Sequence, residues 1–424
     1  MSIGNHKPWQ GLILCCVFSG FAYAFWQQSR QDSSTLAFAL PAHALPSHNN
    51  VAHNNVNDAK TEFSNPEWRR DYLPKPAVAE VHAASLVATD THLHAFWYGG
   101  SREGSRDTHI FAADWPLEQA SSEKPQWHNL RQVMTRQRLA QDQQRYIKKI
   151  GNAVPYVDAQ GVLWLMFVSV SVGGWAGSAL NLTHSNDQGQ TWSPVKRLVT
   201  SPFLNISTLG RAAPLAYHNG ETLWPVYHEF IAKFALGLHL DAQGNVLGLQ
   251  RISSGRQAFQ PSMVALDAHQ GLALLRSVGN QSGRVFISRT QDAGQHWSVP
   301  TALPQINPDA AVAALTLSSG DIIWAYNDDA DSRHNLSLGI SDDQGQSWRK
   351  LCDLANDPSV ASGHGFSYPA LVQDHTGMIH LLYSEGRQAI RHERFNLAWL
   401  KQWSTPASSI SASSTRLCSG SAHD

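Results

Sequence analysis

Histidine is abundant for a chain with few charged residues, at 21 of 424 positions. A metal needs two or more ring nitrogens that converge, at helical or strand spacing. His128, His184, His228 and His364 stand singly. His92 and His94 alternate on one face of an expected strand, with no third ligand evident in the sequence. The stretch from His48 to Asn55 reads as a polar spacer. With no Cys-x-x-Cys pair and no phosphate-binding Gly loop, neither a metal nor a nucleotide cofactor is expected. Of four cysteines, Cys15 and Cys16 lie in an apolar run, which leaves Cys352 and Cys418 to form a disulfide or remain as two buried thiols. One segment, Arg102-Glu103-Gly-Ser-Arg106-Asp107, concentrates two arginines and two acids. On an open surface such pairs contribute little.

The scaffold that must position these groups is written in a repeat. Ser185-Asn-Asp187-Gln-Gly189-Gln-Thr191-Trp192, Thr290-Gln-Asp292-Ala-Gly294-Gln-His296-Trp297 and Ser341-Asp-Asp343-Gln-Gly345-Gln-Ser347-Trp348 share the form Ser/Thr-x-Asp-x-Gly-x-x-Trp. Asp and Gly suit a tight turn, and the Trp supplies an apolar plate beside it. The copies start at 185, 290 and 341, so the first gap is about twice the second. A period of roughly 50 residues marks a repeat architecture. Between turns lie short apolar runs such as Val162–Val168, Ile322–Tyr326 and Ile379–Tyr383, which are strand signals. A β repeat of this length fits four-stranded propeller blades. The expected fold is therefore all-β, a six-bladed β-propeller over 75–400, with a C-terminal tail at 401–424.

The N-terminus is different in kind. Lys7 precedes an apolar run from Gly11 to Trp26, and Ala22-Tyr-Ala24 resembles a small-x-small cleavage site. Residues 1–30 thus read as a signal peptide or an uncleaved membrane anchor. Either reading exports the rest, to the periplasmic or extracellular side. Residues 31–70 read as a flexible linker, too poor in apolar groups to offset ordering entropy. The net charge of −1 gives no footprint for nucleic acid.

The repeated phrase resembles the Asp box of sialidases and their relatives, the BNR-repeat proteins, over about residues 80–395. That resemblance implies boxes on the rim, away from the active site. It also implies a substrate carboxylate held by three arginines, an Asp acid/base, and a Tyr nucleophile assisted by a Glu. Arginine suits the first task because its planar fork makes bidentate, charge-assisted bonds. The Tyr is a recognised exception to two-carboxylate glycosidases. Carried onto this chain, the resemblance points to Arg276 and Arg333 for the carboxylate, to Tyr368 within Phe366-Ser-Tyr-Pro, and to Asp107, with Glu103 its nearest competitor and Arg102 beside it. Two positions depart from the pattern. His82 stands where the first arginine is expected, and Gln260 stands where the Glu is expected. A neutral amide cannot take the phenol proton.

With these departures the chain is similar to the BNR subgroup labelled exo-α-sialidase in bacteria. The expected activity is removal of a terminal acidic sugar, either sialic acid or a related ulosonic or uronic acid, from a glycan. Two alternatives follow from the same residues. His with Tyr is a usable base and acid pair for a lyase acting beside a carboxylate. A propeller that binds an acidic glycan without chemistry is the other.

Overall fold

The computed structural model describes residues 36–40, 65–117, 126–201, 204–279, 283–360, 365–404 and 416–418. Among them are six antiparallel sheets, five of four strands and one of five, arranged as the blades of a propeller. The first strands of the blades are Glu80–Ala88, Lys149–Val157, Thr208–Gly210, Ala258–Ala265, Ala313–Thr316 and Phe366–Gln373. These strands line the axis, and successive ones touch around it, except that Ala258–Ala265 meets blade 3 through Leu215–Ala216, Thr222–Glu229 and Lys233–Leu240.

Blades stack face to face, so their middle strands are covered on both sides. Leu163–Val170 shows this as an almost continuous buried run, where a half-exposed strand would alternate. The outer strand Val246–Arg251 does alternate between half-buried and exposed. Six apolar clusters fill the six blade-to-blade seams. The ring is closed by the N-terminal strand Trp68–Tyr72, which pairs with Ala389–Phe395 as the outer strand of blade 6. Arg70 fixes that closure through a 2.7 Å ion pair to the fully buried Glu393.

The three boxes occupy the turns from third to outer strand in blades 2, 4 and 5. In the first, Ser185 Oγ donates to Asp187 Oδ1 (2.7 Å) and accepts from the Gly189 N–H (2.8 Å). Asp187 Oδ1 also accepts from the Thr191 N–H, and Trp192 Nε1 donates to the Gly189 carbonyl. The other two boxes repeat the pattern. Gly294 and Gly345 have φ of +84° and +78°, and a Cβ there would come within 2.5 and 2.6 Å of Leu223 and Leu272 of the preceding blade. The box glycine therefore serves the turn and the blade seam together.

Both ends of the chain show docked segments. Within the stretch read as a linker, Phe38 is fully buried and stacks on Tyr217 at 5.3 Å. Its N–H donates to the Ala268 carbonyl. One large aromatic in a polar stretch is enough to anchor it. Cys418 forms a disulfide with Cys352, which resolves the alternative left open by the sequence. The bond closes a sequence separation of 66 residues, worth up to about 4 kcal/mol on a chain-entropy basis. Thermal unfolding with and without reductant should show a lower Tm on reduction. Equal Tm values would mean that the tail constrains nothing. The N-terminal apolar run with Cys15 and Cys16, and the His48–Asn55 stretch, lie outside the described residues. Among the described residues no helix is long and apolar enough to cross a membrane.

Candidate active site

In an antiparallel blade, the start of strand one, the end of strand two and the start of strand three share one end. The boxes lie at the opposite end. Every site residue suggested by the sequence lies at the first end, so the two sets are separated by the length of the blades.

That end carries a ring of backbone irregularities. The first strands of blades 1, 2, 4 and 6 lose register near their starts, at His82/Ser85, Gly151/Val154, Phe259/Pro261 and Ser367/Ala370. Each break holds a non-glycine residue at positive φ: Ala83 (54°), Asn152 (46°), Gln260 (50°) and Tyr368 (54°). Ser207 (64°) takes the same conformation just before the first strand of blade 3. Such conformations cost on the order of 1 kcal/mol or more each and cluster where side chains must be aimed.

Tyr368 is the hub. His82 meets its ring edge-on at 4.8 Å and contacts Tyr98 in the same manner at 5.8 Å. Tyr368 lies within electrostatic reach of three guanidiniums, those of Arg211, Arg276 and Arg333. Arg276, at the end of the second strand of blade 4, donates 2.9 Å to Gln260 Oε1 and pairs with the Asp309 carboxylate. Burial opposes its charge, but Tyr368 and Asp309 outweigh burial and raise its pKa. Arg333 donates to the Asp309 carbonyl, and burial together with the Arg276 charge lowers its pKa. Gly365 permits this placement, because a Cβ there would overlap the Arg333 carbonyl. Gln260 is engaged at both ends of its amide, accepting from Arg276 and donating 3.2 Å to the Tyr227 hydroxyl.

The blade 1 loop behaves differently from the axis. Glu103 is ion-paired at 2.7 Å with Arg387 and interacts with the buried Tyr98, whose pKa is raised by burial first and by Glu103 second. Arg102 is exposed. Asp107 is exposed too, and its carboxylate accepts from Ser105 Oγ, Ser101 Oγ and the Ser101 N–H. These bonds, that from Ser105 foremost, lower its pKa. A general acid working near neutral pH needs the opposite shift.

Four further site residues come from elsewhere in the ring. Arg211 reaches across the axis from blade 3 to Ser85 Oγ, the Ala84 carbonyl and the Tyr368 carbonyl. Lys149 lies over Trp175 at 3.7 Å, and burial lowers its pKa. Arg387 holds Glu103. Glu229, at the end of a blade 3 strand, has its pKa raised by burial, with Lys233 and Arg276 opposing. It is thus a carboxyl within electrostatic reach of Arg276, with its pKa shifted in the direction a proton donor requires. His94 proves to hydrogen-bond Asp114, which also accepts from Arg131 and is held at a pKa of about 2, while His92 stacks on the His94 ring and contacts Thr91 Oγ1. Burial opposes that shift, and the hydrogen bonds from His94 and Arg131 overcome it.

Residues 91–381 match the BNR repeat-like domain. The chain belongs to the BNR repeat family. Among solved structures, this BNR-repeat chain is similar to a Hadza microbial sialidase, with 17% identity, a TM-score of 0.60, and coverage of 76% of this chain and 66% of the other. It is also similar to Trypanosoma rangeli sialidase, with 14% identity, a TM-score of 0.60, and coverage of 77% and 56%. A protein of unknown function from Dyadobacter fermentans matches with 12% identity, a TM-score of 0.59, and coverage of 78% and 99%. The chain spans less than two thirds of the length of both sialidases and nearly all of the Dyadobacter protein. No curated protein matches it in sequence. At these identities the likeness establishes the sialidase-like propeller fold.

Proposed function

We propose that this BNR-repeat protein cleaves an acidic glycan at a sugar acid by β-elimination. The observation that carries the reading is the edge contact of His82 with Tyr368 inside a ring of arginines. In this scheme Arg276 and Arg333 hold the sugar carboxylate and spread the negative charge that develops beside it. His82 removes the proton on the carbon next to the carboxylate. The electron pair forms the ring double bond as the neighbouring carbon–oxygen bond breaks. Tyr368 gives its proton to the departing glycosidic oxygen. No carboxylate is required to touch Tyr368, and none hydrogen-bonds it among the described residues. The committed amide of Gln260 and the ionised Asp107 both suit this route better than hydrolysis.

Hydrolysis of a terminal acidic sugar is the second reading, favoured by the sialidase-like fold and by Tyr368 beside two arginines. In that case His82 takes the place of the absent Glu as the base for the phenol. Glu229, with its raised pKa, then competes with Asp107 as the acid. Export of the chain belongs to both readings, supported by the Cys352–Cys418 disulfide.

Digestion of a panel of uronate-containing polymers and sialylated glycans decides between them. Elimination leaves an unsaturated sugar acid that absorbs in the ultraviolet, whereas hydrolysis leaves a saturated one. A saturated sugar acid as the only product would end the elimination reading.

A further inference from the structure

Lys149 opens the first strand of blade 2, at the same end of the axis as Tyr368, and is only 7% exposed. Trp175 covers one side of its ammonium, with Nζ 3.7 Å from the ring centroid. Gly104 of the blade 1 loop lies against another side, where a Cβ would stand 2.9 Å from Nζ. The carboxylate acting on its charge is that of Glu103, which is ion-paired at 2.7 Å with Arg387 and hydrogen-bonded to Tyr98. The adjacent Lys148 is a contrast, since its Nζ donates 2.9 Å to the Gly173 carbonyl. No acceptor among the described residues hydrogen-bonds Lys149 Nζ, and the atom is not sealed from solvent either. Burial and the Lys148 charge both work against the ammonium, with Glu103 opposing. A buried ammonium without an acceptor is costly, and the face of one indole offsets only part of that cost.

We propose that Lys149 is a second anion holder of the active site, taking an acidic group on the sugar that departs when the glycan is cut. The inference rests on the elimination reading above and names its substrate class, a polyanionic glycan with an oxyanion on each side of the broken bond. Ring order carries the argument. Arg276 and Arg333 come from blades 4 and 5, and Lys149 comes from blade 2. Blades 1 and 6, which carry His82 and Tyr368, stand between blade 2 and blade 5 around the closed ring. A reacting sugar that gives its carboxylate to the arginines and its glycosidic oxygen to Tyr368 therefore points the next sugar toward blade 2. Three N–H donors on a point charge suit any single oxyanion, a carboxylate or a sulfate ester alike. A neutral neighbouring sugar would leave the ammonium as it stands, without an acceptor.

Lys149→Met separates this role from a structural one, since methionine keeps an apolar stem against Trp175 and removes the charge. Three polymers serve as substrates of the full-length protein: hyaluronan, whose uronate neighbours a neutral sugar; chondroitin 6-sulfate, whose neighbour carries a sulfate; and polygalacturonate, whose neighbour carries a carboxylate. On whichever charged polymer the wild type cuts, kcat/KM of the variant should fall roughly tenfold or more through KM, the loss of one charge-assisted hydrogen bond. On hyaluronan it should be unchanged, and Tm should be unchanged or raised. Crystals soaked in sodium selenate should show an anomalous peak at hydrogen-bonding distance from Lys149 Nζ that is absent from the variant. Water alone at Nζ, wild-type preference for hyaluronan, or an equal effect of the variant on every polymer cut would overturn the inference and leave the elimination reading standing. No ultraviolet-absorbing product from any polymer, with selenate still at Lys149, would instead end the elimination reading and with it the assignment of that anion to a departing sugar.

Discussion

Tyr368→Phe is expected to lower turnover of the acidic glycan about 10³-fold while leaving KM and Tm nearly unchanged. Loss of a positioned proton donor or acceptor typically costs 10²–10⁴-fold. Stability should hold because no described group hydrogen-bonds the phenol oxygen, so removing it orphans no partner. The ring contact with His82 survives the change, as does the Arg211 bond to the residue 368 carbonyl. His82→Asn should cost a similar factor. Gln260→Glu then separates the two chemistries. It would place a carboxylate on Arg276, where Gln260 Oε1 now accepts at 2.9 Å. For elimination this neutralises the cation that the substrate needs, and kcat/KM should fall at least tenfold. For hydrolysis it restores the missing base, and activity should rise. A Tyr368→Phe enzyme that retains turnover would remove the residue from the chemistry under either reading.

The box repeats were legible because their logic is local. Ser or Thr, Asp, Gly and Trp satisfy one another within eight residues, so the sequence alone carries the turn, the period and the blade number. His82, Gln260, Arg276, Arg333 and Tyr368 were found through resemblance, and the fold gathers them at one end of the axis. Arg211, Lys149, Glu229 and Arg387 went unseen for a physical reason. They come from blades 2, 3 and 6, and it is the closed ring that brings these distant stretches of chain to the end of the axis that holds Tyr368 and Glu103. The bulges were equally silent, because non-glycine residues at positive φ have no distinct letter. Gln260-Pro261 and Tyr368-Pro369, the same dipeptide form at equivalent places in two blades, were the available hint. Asp107 shows the limit of resemblance. Its position fits the pattern, yet Ser101 and Ser105 give it an environment that keeps it ionised.

Acid should open the ring at its closing seam. Asp374, His380 and His392 of blade 6 and Trp127 of blade 1 form a buried chain of hydrogen bonds of 3.0, 3.0 and 3.1 Å. Its direction follows from its end. The Trp127 Nε1–H can only donate, so His392 Nδ1 accepts. His392 Nε2–H then donates to His380 Nδ1, and His380 Nε2–H donates to Asp374. A proton added to either ring sets two donors face to face. Burial lowers both pKa values, that of His392 strongly. The facing charges divide: Arg394 lowers both histidines, while Asp374 and Glu67 raise His380. With folded pKa values below the unfolded value near 6.5, the unfolded chain binds more protons as pH falls. The stabilisation is therefore full above about pH 6.5 and is lost progressively below it. Tm measured from pH 8 to pH 5 should fall steeply in the wild type. In His392→Phe the protein should start less stable at pH 8 and fall along a shallower curve. Parallel curves would mean that the chain of histidines does not sense protons and that acid sensitivity resides in the carboxylates. Among these is Asp374, whose own lowered pKa acts in the same direction at lower pH.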